Sequence, residues 1–354
     1  MIRTMFSYGW VWVVACGSPT GRLEGTSEAP QTPWLKGQLH AHSNRSGDSQ
    51  TAPADVAAWY RAHHFDFIVL TDHNVVGGLA AADTPAGLIV LPGIELTMNL
   101  MTCEPREGDH PCLLHVNALA VDAETGSVRA PGVDDDRERI LTSELELARK
   151  LGGVPQLNHP NFHYSANAAL IARLAAGRPL LVEIENQTSD SMNEGDANHP
   201  STQVVWDQAL ALGATIYGTA TDDSHHYDDA ERVRARGEAA FTGDRGWVMV
   251  HASRDVASIR AALARGDFYA TTGVTLEAIA IDERAVTVRS SGAATLRCIT
   301  DGVVGVPVEG REIFCPRVPG TVRVTVSAGG RDAWVQPVRG VGSVSLRSDR
   351  APRS

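Results

Sequence analysis

Thirteen histidines are present in this chain of 354 residues, and many of them lie beside carboxylates. The motifs, in chain order, are His40-Ala41-His42, Thr71-Asp72-His73, Gly93-Ile94-Glu95, His115, Asn158-His159-Pro160 and Asp222-Asp223-Ser224-His225-His226. Imidazole and carboxylate are the groups that hold Zn, Mn and Fe in hydrolytic sites, and no cysteine belongs to these motifs. The motifs therefore predict a centre of divalent metal ions.

Each motif lies at or near the end of a predicted strand. Apolar runs predict strands at 35–40, 65–71, 88–91, 113–121, 154–157, 180–185, 215–219 and 247–250. Helices are predicted at 53–64, 138–151, 165–176, 202–212 and 255–265, with Pro53 at a first position, Gly152-Gly153 beyond an end and Ser253 as an N-cap. This alternation predicts a parallel sheet, open or closed into a barrel, whose strand ends share one face.

The pattern changes from about Val274 onward, where only short β-branched segments follow one another. They predict a small C-terminal β-sandwich-like domain. The expected organisation is a signal peptide at 1–16, a flexible linker at 17–33, the metal-binding α/β domain at 34–273, the β-rich domain at 274–345 and a disordered tail at 346–354.

The N-terminus has the features of a lipoprotein signal. Arg3 precedes an apolar run from Met5 to Ala15 that is too short to cross a bilayer. Val13-Val14-Ala15-Cys16 resembles a bacterial lipobox, and a buried N-terminal strand is the alternative. We therefore expect a protein of the bacterial cell envelope, anchored to the outer membrane through lipid at Cys16 and facing the periplasm or the cell exterior. The expected partner is a small-molecule substrate.

The remaining four cysteines suit an oxidising compartment. Of their three possible connectivities, the simplest joins Cys103 to Cys112 and Cys298 to Cys315, and we expect both disulfides.

The charge composition limits the kinds of partner that the protein can bind. The 31 Lys and Arg against 42 Asp and Glu give a net charge of −11, which opposes nucleic-acid binding. Phosphorylated substrates remain compatible, because bound divalent ions reverse the local sign of charge.

The ordered motifs resemble the polymerase-and-histidinol-phosphatase (PHP) superfamily. The segments GQLHAHS, FDFIVLTDHN, LPGIELT, TDDSHHY, RGWVMV and RGDFYATTG resemble its CehA/McbA-like branch, whose namesakes hydrolyse the carbamate carbaryl. The resemblance covers about residues 35–275. It implies a distorted (β/α)7 barrel that holds two or three divalent ions, for which Zn, Mn and Fe are all suitable.

The resemblance also implies a role for each motif. The implied sites are His40, His42, Glu95 and Asp223 around a first ion, Glu95, His115 and His159 around a second, and His73 and His225 with one further acid around a third. The family places that acid in a Ser-Asp-Gly sequence, whereas this chain has Ser46-Gly47-Asp48. Asp48 reaches the third site only if the loop adjusts. Asp222 is expected to orient an imidazole or a bound water.

These sites imply a hydrolase that uses a metal-activated hydroxide. Candidate general acids are His163, His226 and Tyr227, whereas Glu183, Glu185 and Asn186 are expected to be structural, with pocket lining as the alternative. Phosphoesters are the first expected substrates, and carbamates or aryl esters are the alternative. A non-catalytic binding lipoprotein is the competing class, and it would require an incomplete set of ligands.

Overall fold

The computed structural model describes residues 34–122, 126–129, 132 and 135–340. The predicted signal peptide, the lipobox Cys16, the linker and the tail lie outside the described residues. Within the described part of the chain, no helix is both long and apolar enough to span a membrane.

The molecule is a mixed α/β protein. Its strands are β1 Trp34–Gln38, β2 Phe67–Leu70, β3 Val75–Val76, β4 Ile89–Leu100, β5 Cys112–Leu119, β6 Gly126–Ser127, β7 Val154–Leu157, β8 Leu180–Asn186, β9 Ile216–Thr221, β10 Trp247–His251, β11 Phe268–Thr271, β12 Leu276–Ile281, β13 Ala285–Thr300, β14 Val303–Val304, β15 Val308–Pro316, β16 Thr321–Ala328, β17 Arg331–Val335 and β18 Val338–Arg339. Its α-helices are α1 Pro53–Ala62, α2 Arg137–Lys150, α3 Ala168–Leu174, α4 Thr202–Ala211, α5 Ala230–Ala235 and α6 Val256–Arg265. Two short 3₁₀ helices span Ala81–Asp83 and Phe162–Tyr164.

One large sheet runs through the described residues in the order β12-β13-β16-β17-β11-β10-β1-β2-β4-β5-β7-β8-β9. This path is open, so the expected closed barrel is not formed. The pairs β1–β2, β2–β4, β7–β8 and β8–β9 are parallel, as expected, whereas β4–β5, β5–β7, β1–β10 and β10–β11 are antiparallel. The connection from β4 to β5 contains no helix, and a parallel pair requires a longer crossover. The two strands therefore pair as a hairpin.

The helix predictions agree with the structure to within a few residues, and α5 was not predicted. Pro53 begins α1, and Gly152 follows α2 in the left-handed region with φ +79°, as the sequence suggested. The predicted N-cap of α6 was wrong. Asp255, and not Ser253, caps it, because the Asp255 side chain accepts a hydrogen bond from the Ser258 N–H at 2.8 Å. A carboxylate at the start of a helix is also stabilised by the positive end of the helix dipole.

Helix α2 packs on the outer face of the sheet and buries one charged group. Ile140, Leu141 and Leu145 belong to the same apolar core as Leu114 of β5. Glu144 lies among them, with an exposed fraction of 0%, and neither of its carboxylate oxygens has a hydrogen-bond partner among the described residues. Burial raises the pKa of Glu144 well above its usual value, so the folded protein holds this side chain in the neutral form.

Glu144→Gln is therefore expected to stabilise the protein increasingly as pH rises. The unfolded carboxyl ionises near about pH 4.3, whereas the folded one keeps its proton, so wild-type stability falls above that pH at up to ~1.4 kcal/mol per pH unit until Glu144 ionises. The Glu144→Gln variant lacks this decrease in the free energy of unfolding with rising pH. Urea unfolding from pH 5 to pH 8 measures the difference, and a difference that does not change with pH would contradict the assignment.

The C-terminal strands continue the same sheet, since β11 pairs with β17. The sequence suggests only short segments here, whereas Ala285–Thr300 form one long strand, β13, with a register shift between Arg289 and Ala294. Both expected disulfides are present. Cys103–Cys112 closes the connection between β4 and β5 with a Cα–Cα distance of 5.8 Å, and Cys298–Cys315 joins β13 to β15 at 5.6 Å.

A buried ion pair ties these strands to α4. The Arg323 guanidinium donates from Nε and Nη2 to the two carboxylate oxygens of Asp207, both at 2.6 Å, and lies 4.6 Å from the ring centre of Trp206. The Arg323 side chain is 3% exposed and that of Asp207 is 12% exposed. The pair is therefore largely removed from water.

Asp207→Ala is expected to destabilise the protein by about 3–5 kcal/mol, because it leaves the Arg323 charge buried without its partner. Chemical unfolding measures the loss. The matched control is Glu312→Ala, which breaks the exposed Arg289–Glu312 pair and should cost about 0–1 kcal/mol. Equal losses in the two variants would show that burial does not decide the strength of the Arg323 contact.

Candidate metal centre

The nine side chains that the sequence assigns to metal ions lie at one end of the sheet. They form three groups, and within each group one potential ligand atom per residue lies within 4.8 Å of the others. The groups are His40, His42 and Asp223; Glu95, His115 and His159; and His42, Asp48, His73 and His225. They converge because β1, β2, β4, β7 and β9 run in the same direction, so that their carboxyl ends reach the same edge, and because a parallel bridge between Ala41 and Ser224 joins the residues that follow β1 and β9.

Glu95 of β4 lies at the centre of the cluster and is 1% exposed. Five imidazole nitrogens surround its carboxylate, namely His73 Nδ1 at 2.8 Å and His42 Nε2 at 3.4 Å from Oε2, with His115 Nδ1 at 3.1 Å, His40 Nε2 at 3.4 Å and His159 Nε2 at 3.5 Å from Oε1. The Asn158 side-chain amide donates to Oε1 at 2.8 Å. A carboxylate with this surrounding has the position from which it could bridge two ions.

Asp223 provides a second carboxylate. Its Oδ1 lies 3.1 Å from His42 Nε2 and 3.2 Å from His40 Nε2. The residue has a φ of +49°, in the left-handed region, and is buried. This strained backbone turns the side chain back over the end of β9.

Asp48 provides the third carboxylate, although its Ser46-Gly47-Asp48 loop departs from the Ser-Asp-Gly order of the family that the sequence resembles. Its Oδ2 lies 3.1 Å from His73 Nε2 and 3.4 Å from His225 Nε2. Gly47, with φ +90°, makes the turn that brings Asp48 inward, in a backbone region that favours glycine. The reversed Gly-Asp order therefore still places a carboxylate beside the third pair of histidines.

The outer nitrogen of several imidazoles is held by a hydrogen-bond acceptor. The acceptors are Glu183 Oε1 for His40 Nδ1 at 2.7 Å, Asn99 Oδ1 for His115 Nε2 at 2.8 Å and the Asp223 carbonyl oxygen for His225 Nδ1 at 2.9 Å. An imidazole that donates its outer N–H in a neutral state presents a lone pair at its inner nitrogen. His40 Nε2, His115 Nδ1 and Glu95 Oε2 are buried without any hydrogen-bond partner among the described residues. This set of donor atoms fits divalent metal ions.

The two central carboxylates are ionised at neutral pH. Burial favours the neutral acid, but the neighbouring imidazoles of His73, His40 and His115 outweigh it and hold the pKa of Glu95 well below its usual range. Burial likewise opposes ionisation of Asp223, yet His40 and His42 keep its pKa well below the usual value. The cluster therefore presents anionic oxygens.

The imidazoles differ in charge. Burial and the neighbouring His225 lower the pKa of His42 to about 4, so it is neutral at pH 7. Burial also lowers the pKa of His73, but the carboxylates of Glu95 and Asp48 outweigh it and raise that pKa to about 10. Binding of ions would therefore displace protons from the cluster, which makes metal affinity depend on pH.

A pocket of about 210 Å³ opens beside the cluster. Leu113, Phe162 and Phe241 form its apolar walls, and Thr188 and Asp190 add polar groups. No lysine or arginine lines the pocket in the described part of the chain. Sequence reasoning missed these wall residues, because they lie in loops, in the short 3₁₀ helix Phe162–Tyr164 and at the start of β5, where no spacing marks them.

Asp222 was expected to orient an imidazole or a water, and the structure gives it different partners. It is fully buried, and its carboxylate accepts hydrogen bonds from the backbone N–H groups of Asp244, Arg245 and Gly246 at 2.8–2.9 Å. The Tyr60 hydroxyl donates to it at 3.0 Å, and the Gln38 side-chain amide donates as well. Asp222 thus holds the loop before β10 against β1, and its expected role of orienting an imidazole or a bound water stays a prediction.

The candidate general acids do not line the described pocket. His163 faces His110, with 5.7 Å between ring centres, and burial together with His110 lowers its pKa. Burial also lowers the pKa of His226, whose Nδ1 accepts a hydrogen bond from the Phe241 N–H at 3.1 Å. A general acid must carry its proton at the working pH, so these shifts oppose that role. Tyr227 is buried, and its hydroxyl donates to the His42 carbonyl at 2.8 Å, which fixes the backbone of the first motif.

Among the solved structures that resemble the chain, two show how distant the similarity is. No family model and no curated protein sequence matches the chain. An amidohydrolase from Chromobacterium violaceum is 19% identical over 53% of this chain and 87% of its own, with a TM-score of 0.36. A protein from Bifidobacterium adolescentis, described as a metal-dependent phosphoesterase, is 11% identical over 55% of this chain and 90% of its own, with a TM-score of 0.35. At such values neither match bears on the activity, which has to be inferred from the site itself.

Proposed function

We propose that this protein is a metal-dependent hydrolase. The observation that supports the proposal is the gathering of six histidines and three carboxylates into three adjoining groups beside one pocket. Ions in these groups would lower the pKa of a bound water, so that hydroxide is available at neutral pH, and would polarise the bond to be cleaved. The other sequence-based class, a binding lipoprotein without catalysis, would require an incomplete set of ligands.

The first substrate class that we propose is the phosphoesters. Glu95, Asp223 and Asp48 bring three negative charges to the centre, whereas three divalent ions would bring twice as many positive charges. The positive surplus suits an anionic phosphoryl group, even though no lysine or arginine lines the described pocket. The placement of Asp48 beside His73 and His225 is what favours a third ion and with it this class.

A second class, the carbamates and aryl esters, is favoured by the pocket walls. Phe162, Phe241 and Leu113 offer apolar surface to an aromatic leaving group. A neutral substrate also needs no basic side chain for its recognition. The apolar walls therefore favour a substrate with an aryl leaving group. The charge of the metal centre determines whether a phosphoryl group or a carbonyl group is bonded to that leaving group.

Elemental analysis and two assays on one purified sample test the proposal. We expect two or three divalent ions per chain and hydrolysis of p-nitrophenyl phosphate, with 1-naphthyl N-methylcarbamate as the competing substrate. The control is the double variant His40→Ala, His42→Ala, which should lose both ions and activity. Hydrolysis of the carbamate alone would reverse the order of the two classes. Metal-free, inactive protein after reconstitution, or activity retained by the double variant, would refute the enzyme assignment.

A further inference from the structure

Glu183 of β8 lies at the centre of a buried hydrogen-bond network. It is fully buried, and five groups donate to its carboxylate. The donors are His40 Nδ1 (2.7 Å), the Thr221 hydroxyl (2.8 Å) and the Gln156 amide (3.1 Å) to Oε1, with the His159 backbone N–H (2.8 Å) and the Asn186 amide (2.9 Å) to Oε2. These donors come from β1, β7, β8 and β9 or the residues that directly follow them. Glu183 thus connects the strand ends that carry the candidate ligands.

We propose that Glu183 is the positioning residue of the metal centre, which fixes the ring of His40 and the backbone of His159. The proposal rests on the metal-dependent function proposed above. No sequence motif marks Glu183, and the sequence suggested a structural role for it, with pocket lining as the alternative. The geometry assigns it a more specific task, because its contacts go to two of the three candidate metal groups.

The first part of this task is the choice of tautomer at His40. A carboxylate oxygen only accepts hydrogen bonds, so His40 must donate from Nδ1 to Glu183. The lone pair of the neutral ring then lies at Nε2, which is 3.2 Å from Asp223 Oδ1 and 3.4 Å from Glu95 Oε1 and has no hydrogen-bond partner among the described residues. Carboxylate–histidine pairs of this kind hold the ring and raise its basicity as a ligand.

The second part is the backbone of His159, whose φ of +24° is unusual for a residue other than glycine. The hydrogen bond from its N–H to Glu183 Oε2 holds this conformation and directs the ring toward Glu95. Asn186 extends the link, since its side-chain amide donates both to Glu183 Oε2 and to Asp223 Oδ2, at 2.9 and 3.1 Å. The Glu183 side chain therefore supports His40 in one group and His159 in another. Through the Asn186 amide it is also linked to Asp223, which belongs to the same group as His40.

Only an ionised carboxylate satisfies all five donors. In Glu183→Gln one oxygen becomes an NH₂ group, which either faces the donors on the Oε2 side or faces His40 Nδ1. In the second orientation His40 must keep its proton on Nε2, where it blocks a metal ion. Both orientations leave buried donors without acceptors.

The test compares Glu183→Gln with Glu144→Gln, the same substitution at a second fully buried glutamate that has no hydrogen-bond partner among the described residues. Zinc affinity is measured by chelator competition and the number of ions by mass spectrometry. We expect Glu183→Gln to bind zinc about 10- to 100-fold more weakly at the two supported groups. The ion of the group with Asp48, His73 and His225 should remain, because Glu183 contacts none of these three side chains. Glu144→Gln should match the wild type.

Nitrogen-15 NMR of the zinc-loaded wild type supplies a readout that needs no variant. We expect a proton on His40 Nδ1 and none on Nε2, and a proton on Nε2 would overturn the proposal even if Glu183→Gln fails to fold. A folded Glu183→Gln with wild-type zinc affinity, or one that loses all ions equally, would also overturn it while leaving the metal centre intact. Wild-type protein that binds no zinc would refute the proposed function and this role together.

Discussion

Glu95→Gln is expected to lower hydrolysis by about 1,000-fold or more and to reduce the number of bound ions. Removal of one preorganised electrostatic group at a reacting centre commonly costs about 100- to 1,000-fold, and this carboxylate contacts five imidazoles. The amide keeps the volume of Glu95 but removes its negative charge. It also presents an NH₂ group toward nitrogens that should face a cation. Loss of the bridging charge should therefore weaken two groups together, unlike the loss of a histidine that belongs to one group only.

Steady-state assays and elemental analysis on the same preparation measure this effect. Glu144→Gln is again the matched control, because it makes the same change at a buried glutamate on the adjacent helix α2. We expect it to retain wild-type kcat/KM and wild-type ion content at pH 7. If Glu95→Gln kept its ions and most of its activity, the centre could not be organised around Glu95, and the bridging assignment would be wrong.

The candidate site was largely accessible from sequence because its groups are local in the chain. A pair such as His40 and His42 on one strand end needs no knowledge of tertiary structure, and each further motif ends another predicted strand. Neighbouring strand ends meet at one edge, so a list of such motifs predicts a cluster. The structure gathers all nine of these side chains within three adjoining groups.

What the sequence could not predict depends on contacts between distant segments. Glu183 has the same local surroundings as Glu185, yet only Glu183 accepts hydrogen bonds from His40 and the His159 backbone. Burial, followed by the charge of Glu194, raises the pKa of Glu185 to about 7, in a pocket away from the metal groups. The side chains of Asp222 and Asp223 have different partners, because β9 ends at Thr221 and the loop before β10 then binds the carboxylate of Asp222, whereas that of Asp223 lies beside His40 and His42.

The open sheet has a similar cause. Strand periodicity identifies β4 and β5 but carries no information on whether they run parallel or antiparallel, and the connection that decides this was not recognised as a hairpin. The cluster still forms, because the reversed direction of β5 brings His115 beside the carboxyl half of β4, where it pairs with Thr97, two residues from Glu95. The topology therefore departed from expectation while the cluster did not.

Asp48→Asn is expected to separate the two proposed substrate classes. The amide keeps the size of Asp48 but removes its charge between His73 Nε2 and His225 Nε2, 3.1 and 3.4 Å away. Burial opposes ionisation of Asp48, but His225 and His73 outweigh it and lower its pKa, so the wild-type side chain is anionic at neutral pH. Without it, a positive ion between two imidazoles loses its only carboxylate in that group. One ion fewer per chain should then be found.

The two substrates should respond differently to that loss. A phosphoester carries negative charge that the third ion helps to balance, so its kcat/KM should fall by about 100- to 1,000-fold. A neutral aryl carbamate has no such charge, and its kcat/KM should fall by less than about tenfold if the first two groups suffice. Asp55→Asn, at an exposed aspartate in the first turn of α1, is the control and should change neither rate. Equal losses for both substrates would mean that the group around Asp48 serves the hydrolytic step itself, and no loss of ion or rate would remove Asp48 from the metal centre.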